Sequence, residues 1–287
     1  MEYTLNELEV GGAFNNINSY NANMAKGMED KMFFVNVLPL AQSEHWIFVD
    51  FGCADGTLFS ALAPLLDSMN IKATLIGYDI SETMISIAKE KFGNLSTDNI
   101  SVVFTYNWNL VERYIRHSNA KKAVILSSVV HEVYSYAESE QDIRIFWDRI
   151  TNSGFDYVCL RDMMPSRSIE GPTDESQLEE FYQHVEEEKP ELKKYIQDFE
   201  AHWGKLTDNK NFVHYLLKYR WITNWTREVN ENYFPIFVDE FIAKMASYRL
   251  KHLKLFKVPF LENCWRQDFG ISIVDNTHIK AVFAARE

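Results

Sequence analysis

The ten residues Ile47-Phe48-Val49-Asp50-Phe51-Gly52-Cys53-Ala54-Asp55-Gly56 restrict the fold of this chain more than any other segment. An apolar run ends in an acid, enters a turn of small residues and continues into a helical pattern, Thr57-Leu58-Phe59-Ser60-Ala61-Leu62-Ala63. Gly52 and Gly56 carry no Cβ and Ala54 carries little beyond it, so backbone can approach a nucleotide-like ligand closely. The helix behind such a turn points its unpaired N–H groups into the same space. A second acid, Asp79, ends the next apolar run, Ala73–Tyr78. An acid at the tip of a second strand is placed to accept hydrogen bonds from ribose hydroxyls.

The surrounding pattern supplies a sheet to carry that turn. Strand patterns fall at Trp46–Phe51, Ala73–Asp79, Ile100–Tyr106, Ala123–Ser128 and Asp156–Leu160, with helical patterns near Thr57–Met69, Glu82–Phe92, Leu110–Arg116 and Glu140–Thr151. Short apolar runs separated by helices of this length predict βαβ units and a buried parallel sheet. Ser81 is the expected N-cap of the second helix. After Asp162 the character changes. From Asp174 to about Lys251 the pattern is helical, acidic at first and then rich in Tyr, Trp and Phe, and strand patterns return at Phe256–Leu261 and Thr277–Ala285 as an expected C-terminal β-hairpin. The fold class expected is α/β: a Rossmann-like, mostly parallel seven-stranded sheet with flanking helices and a helical insertion between strands five and six. The expected division is an N-terminal helical lid over 1–45, a core over 46–165, a helical cap over 166–250 and C-terminal strands completing the sheet over 251–287.

Composition narrows the partners. A chain of 287 residues with net charge −12 repels phosphate backbones at long range, which disfavours nucleic acid. The charge is uneven: residues 170–208 hold twelve acids against four lysines, whereas Lys244–Lys257 holds five Lys and Arg and no acid. No apolar run approaches the roughly 20 residues that span a bilayer, and the N-terminus lacks a basic-then-apolar signal pattern, so no membrane partner is expected. Cys53, Cys159 and Cys264 are far apart and form no Cys-x-x-Cys pair, which indicates a reducing, cytoplasmic setting. The eight histidines show no metal-ligand spacing, and no metal is expected.

In the form Asp50-x-Gly52-x-Ala54-x-Gly56, the turn resembles the first motif of class I S-adenosylmethionine-dependent methyltransferases, usually Asp/Glu-x-Gly-x-Gly-x-Gly. The resemblance extends from Trp46 to Leu160 and includes Asp79. It implies S-adenosyl-L-methionine as cofactor, with Gly52, Cys53, Ala54 and Gly56 along its amino-acid and ribose end. Asp79, with Ile80 beside it, would hold the ribose diol. Asp50 would order the loop or face the ammonium through water. After the third strand, Asn107 would either accept from the adenine amino group, with Trp108 stacking, or cap the following helix. The loop after the fourth strand, opening at Ser127, would face the sulfonium methyl and the acceptor. There His131 or Glu132 would act as base, or His131 would pack on the cofactor or satisfy a local carbonyl. Arg161 and Asp162, at the end of the fifth strand, would form a structural ion pair or orient a polar acceptor. In the stripe Tyr20, Met24, Met28, Lys31, Phe33 and Phe34, core packing is the ordinary reading, with Tyr20 and Met24 as lid candidates.

The function expected from the resemblance is methyl transfer to a small-molecule acceptor. One alternative is an RNA methyltransferase using Lys218, Arg220, Arg227 and the Lys244–Lys257 stretch, although no Asn/Asp-Pro-Pro-Tyr follows strand four and no Pro-Cys nucleophile is present. The other is a non-catalytic S-adenosylmethionine-binding regulator.

Overall fold

The computed structural model describes residues 27–42 and 44–286. Tyr20 and Met24 lie outside them. After a four-residue helix, α1 (Met28–Lys31), β1 (His45–Phe51) passes through the Gly52–Gly56 turn into α2 (Thr57–Ser68). The alternation continues as β2 (Lys72–Tyr78), α3 (Glu82–Phe92), β3 (Ile100–Thr105), α4 (Trp108–Arg116), β4 (Lys121–Ser127), α5 (Val130–Tyr136), α6 (Glu140–Asn152) and β5 (Tyr157–Met163). Next come α7 (Glu175–Glu187), α8 (Lys193–Trp203), α9 (Asn209–Lys218), α10 (Trp225–Glu228) and α11 (Val238–Lys244). Then β6 (Tyr248–Phe256), α12 (Pro259–Phe269) and β7 (His278–Ala285) close the described chain.

The strands form one seven-stranded sheet in the order β3-β2-β1-β4-β5-β7-β6. β1 to β5 are parallel and the C-terminal strands antiparallel. The chain direction along the sheet reverses between β1 and β4, which opens a crevice at their C-terminal ends where ligands bind in open α/β sheets. β1 and β2 each bury six consecutive residues, as strands covered on both faces do. Their core includes Trp46 and Phe48, stacked with centroids 5.6 Å apart, and Phe34, Phe59, Leu62 and Leu75.

The described chain divides into two compact units. One runs to Asp162 and takes up Ala243–Lys254 and the residues from Lys280; the other holds Met163–Ile242 and Leu255–Ile279. The second unit has its own aromatic core, in which Phe181 meets Phe269 at 4.8 Å and the Trp265 indole N–H donates to the Leu216 carbonyl at 2.8 Å.

Two local expectations differ from the fold. Residues 256–261 were read as a strand, but β6 ends at Phe256 and Pro259 is the first residue of α12, where proline's fixed φ and missing N–H suit a helix start. The final two strands are therefore sheet neighbours joined through a helix rather than a tight hairpin. The loop after β4 is largely a helix, α5, whose first N–H is capped from outside its own sequence: Val130 N–H donates to Asp162 Oδ2 at 2.7 Å. The basic Lys244–Lys257 stretch contains the whole of edge strand β6, with Arg249, Lys251 and Lys254 exposed, a usual protection of an edge against pairing with another chain.

Gly77 of β2 pairs in register with Asp50, and a Cβ there would meet Phe104 Cδ1 at 2.5 Å and Cys53 Sγ at 2.9 Å. Gly77→Ala is expected to cost about 1–3 kcal/mol through overpacking under the turn, read as a lowered denaturant midpoint. An unchanged midpoint would contradict this packing.

Candidate functional site

The turn after β1 is shaped by the tip of β2. Gly52 N–H and Cys53 N–H both donate to the Tyr78 carbonyl, at 2.8 and 3.0 Å. Ala54 N–H donates to Asp79 Oδ2 at 2.8 Å, and Ser81 N–H donates to Asp79 Oδ1 at 2.9 Å. Gly52, Ala54 and Gly56 all have positive φ, 75°, 46° and 77°. The left-handed conformation costs Ala54 about 1–2 kcal/mol, so the surrounding bonds must hold it. Gly52 is required by space as well, since a Cβ there would lie 2.5 Å from Val129 Cγ2. Asp55, buried beneath the turn, accepts from Thr57 Oγ1 at 2.6 Å and pairs with Lys91 at 2.7 Å.

This turn lines an open cleft, with about 360 Å³ of atom-free space when the solvent at its mouth is included, bounded by Met28, Lys31, Asp50, residues 52–55, Leu58 and Ser127 among others. Met28 and Lys31 belong to the stripe read as ordinary core; the one signal for Lys31 is a cation within an apolar run. Burial pushes the Asp50 carboxyl up to about 7, with Lys31 opposing and Asp79 adding to the shift. Burial likewise draws the Lys31 ammonium down to about 8, with Arg161 adding and Asp50, Asp55 and Asp30 opposing. Cys53 is buried, and burial followed by the charges of Asp79, Asp50 and Asp55 pushes its thiol well up, so it is a neutral wall rather than a nucleophile. Ile80, half-buried, follows Asp79 at the β2 tip.

Beyond β3, Asn107 caps α4, accepting from Asn109 N–H at 3.0 Å. Trp108 is buried, packs edge-on against Tyr78 and Phe51 at 5.1 and 5.6 Å, and donates its indole N–H to Glu112 at 3.2 Å. Beyond β4, His131 is buried with its Nδ1 2.7 Å from Asp162 Oδ1, while Glu132 is half-buried. A carboxylate on Nδ1 fixes the tautomer in which Nε2 accepts. His131 and Asp162 are 31 residues apart in the chain and are brought together only by the fold. Arg161 reaches Asp30 instead, at 2.6 Å, because neighbouring strand residues point to opposite faces.

In the second unit, Lys218 is fully buried. Its ammonium donates to the carbonyls of Glu231, at 2.6 Å, and Glu228, and lies 3.8 Å from the Tyr233 ring centroid. Arg227 is buried and paired with Glu231 at 2.8 Å, and Arg220 pairs with Asp268 at 2.9 Å. Lys218 and Arg227 therefore serve internal contacts, whereas Arg220 is exposed. Among the described residues no three His, Cys, Asp or Glu side chains gather as metal ligands, and no helix is long and apolar enough to cross a membrane.

No family model and no curated protein sequence matches the chain. Solved structures match its fold. The CMeT domain of the citrinin polyketide synthase is 11% identical over 97% of this chain, with a TM-score of 0.50; this chain spans 60% of that one. Geranyl diphosphate C-methyltransferase from Streptomyces coelicolor, solved with S-adenosyl-L-homocysteine, is 8% identical over 96% of this chain and 79% of its own, with a TM-score of 0.41. PKMT2 from Rickettsia typhi, also with S-adenosylhomocysteine, is 15% identical over 86% of this chain and 50% of its own, with a TM-score of 0.43. At these identities the likeness is one of fold, and the fold is that of class I methyltransferases.

A raised Asp50 pKa means that the native state holds more protons than the unfolded chain between about pH 4, the ordinary Asp value, and about 7. Stability is therefore lost as pH rises through that window. The stability of Asp50→Asn relative to the unsubstituted protein should increase steadily from pH 4 to 7, read by denaturant titration. A pH-independent difference would show that Asp50 titrates normally.

Proposed function

We propose that this chain is an S-adenosylmethionine-dependent methyltransferase acting on a small-molecule acceptor. The observation that carries this reading is the pairing of a left-handed small-residue turn with two strand-tip acids beside the Lys31–Asp50 cleft. The groups around the cleft suit a zwitterionic ligand with a nucleoside. Lys31 offers a cation to a carboxylate, and Asp50 an acceptor to an ammonium. Asp79 is held by two backbone N–H bonds and keeps acceptor capacity for a diol, since each carboxylate oxygen has two lone pairs. Met28 and Leu58 supply apolar wall.

When bound, S-adenosylmethionine supplies an activated methyl group on a sulfonium. The chain's own contribution is mainly positioning, with the acceptor aligned near the ends of β4 and β5. We assign His131 as the base that takes the acceptor's proton, with Asp162 holding the imidazole in the accepting tautomer. Asn107 caps α4 through one lone pair of Oδ1 and is exposed, so it keeps a second lone pair and its amide N–H groups for the adenine, while Trp108 packs in the core. The RNA reading is weakened by the burial of Lys218 and Arg227.

Calorimetric titration with S-adenosylhomocysteine tests the cofactor. Binding is expected, weakened about 10–100-fold by Asp79→Asn through loss of charged hydrogen bonds; absence of any binding would refute the reading. For the base, small hydroxyl-, amine- and enolate-bearing acceptors are screened by release of S-adenosylhomocysteine. On an accepted substrate His131→Gln should lower kcat about 10²–10⁴-fold while cofactor affinity stays within about twofold. Retention of kcat within about threefold would make His131 structural.

A further inference from the structure

Arg161 and Lys280 form the least expected charge arrangement in the first unit. Two bonds bracket the β5–β7 pair: Ala285 N–H to the Asp156 carbonyl at 2.8 Å, and Met164 N–H to the Thr277 carbonyl at 3.0 Å. In an antiparallel ladder these set Arg161 directly opposite Lys280. Like charges directly opposed across strands destabilise a sheet. Both side chains are also nearly buried, at 12% and 11% exposure, which adds a desolvation cost. Such a pair is compatible with a stable sheet when an anion lies between the two heads.

That anion is Asp30. Arg161 Nε donates to its Oδ2 at 2.6 Å, and Lys280 Nζ donates to its Oδ1, one cation to each oxygen. Burial pushes the Asp30 carboxyl up, but the bonds from Lys280 and Arg161 outweigh it and hold it below the ordinary range. The two halves of the contact differ in rigidity. The cations stand on neighbouring strands of the sheet. The carboxylate comes from α1, a four-residue helix entered through Gly27 at φ 80°, and is 34% exposed. The cationic half is therefore built in, and the anionic half is a surface side chain on a short element.

The pair also lies beside the cleft. Ser127 pairs in register with Arg161, and Asp50 with Ile125 two residues before Ser127, so Asp50, Ser127 and Arg161 share one face of the sheet. Asp50 and Ser127 line the cleft. Arg161 further donates to Ser128 Oγ at 3.3 Å, in the loop after β4. With strands about 4.8 Å apart, Arg161 and Lys280 stand about one and two strands beyond Ser127.

We propose that Arg161 and Lys280 are a carboxylate-binding subsite for the methyl acceptor, and that Asp30 fills it as an internal surrogate. The acceptor is then a small carboxylic acid whose carboxylate sits one to two strand spacings from Ser127 of the cleft wall. The assignment to an acceptor rests on the methyltransferase reading; the anion site does not.

The test is calorimetry on the full chain saturated with S-adenosylhomocysteine, using benzoate as probe and benzamide as its neutral isostere. Removing the internal competitor in Asp30→Ala should tighten benzoate binding about tenfold or more, because the competent state is no longer partly occupied. Asp30→Asn should move it in the same direction. Arg161→Gln or Lys280→Gln added to Asp30→Ala should abolish benzoate binding and leave cofactor affinity within about threefold. Benzamide should bind none of them. Equal benzoate affinity across all variants, or equally tight benzamide, would overturn the subsite. Loss of S-adenosylhomocysteine affinity in the cation variants would assign the pair to the cofactor's own carboxylate and overturn the acceptor assignment. Benzoate binding to Asp30→Ala in a protein that binds no S-adenosylhomocysteine would uphold the anion site and refute the methyltransferase reading.

Discussion

The rest of the site depends on the tip of β2. Tyr78 and Asp79 take the backbone N–H groups of Gly52, Cys53, Ala54 and Ser81 at 2.8–3.0 Å. These bonds fold the turn back over the second strand and hold Ala54 in a conformation that is unfavourable for any residue with a side chain. Asp79 is thereby buried at the strand tip between the Ala54 and Ser81 N–H groups. The turn's residues line the cleft together with Asp50 and Lys31, and Asp55 within the turn is engaged by Lys91 and Thr57.

Two of these residues, Asp50 and Asp55, are buried, and Lys31 is half-buried. Burial raises Asp50 to about 7 and lowers Lys31 to about 8, while the charge of each opposes the other's shift. A ligand bringing its own ammonium and carboxylate would meet an opposite charge on each side of the cleft. The same logic recurs at Asp30 between Arg161 and Lys280. Residues 30 and 31, adjacent on one short helix, thus address two charged sites on the same sheet face, one in the cleft and one beside it.

Much of the first unit was legible in the sequence. Strands that are buried on both faces read as continuous apolar runs, and helices of nine or more residues show enough periods to be recognised, as at Glu82–Phe92. What was not legible came from tertiary contacts. α5 has only seven residues, with His131, Glu132 and Ser135 among apolar and aromatic ones, and its cap comes from Asp162 on another strand. The His131–Asp162 contact and the Arg161–Lys280 opposition depend on strand register, which no local pattern encodes. Lys218 reads as a surface cation beside Tyr219, yet it is buried because carbonyls of the following segment, at Glu228 and Glu231, converge on its ammonium. The Asn107 cap was one of the two readings the residue itself allowed, and the structure shows the cap formed.

The central claim is that the cleft between the β1 turn and Lys31 is a cofactor site. A crystal structure of the full chain with S-adenosylhomocysteine tests it most directly. The account predicts the ribose diol on Asp79 and the amino-acid end between Asp50 and Lys31. Density for the ligand elsewhere, or a cleft still empty at saturating ligand, would contradict it.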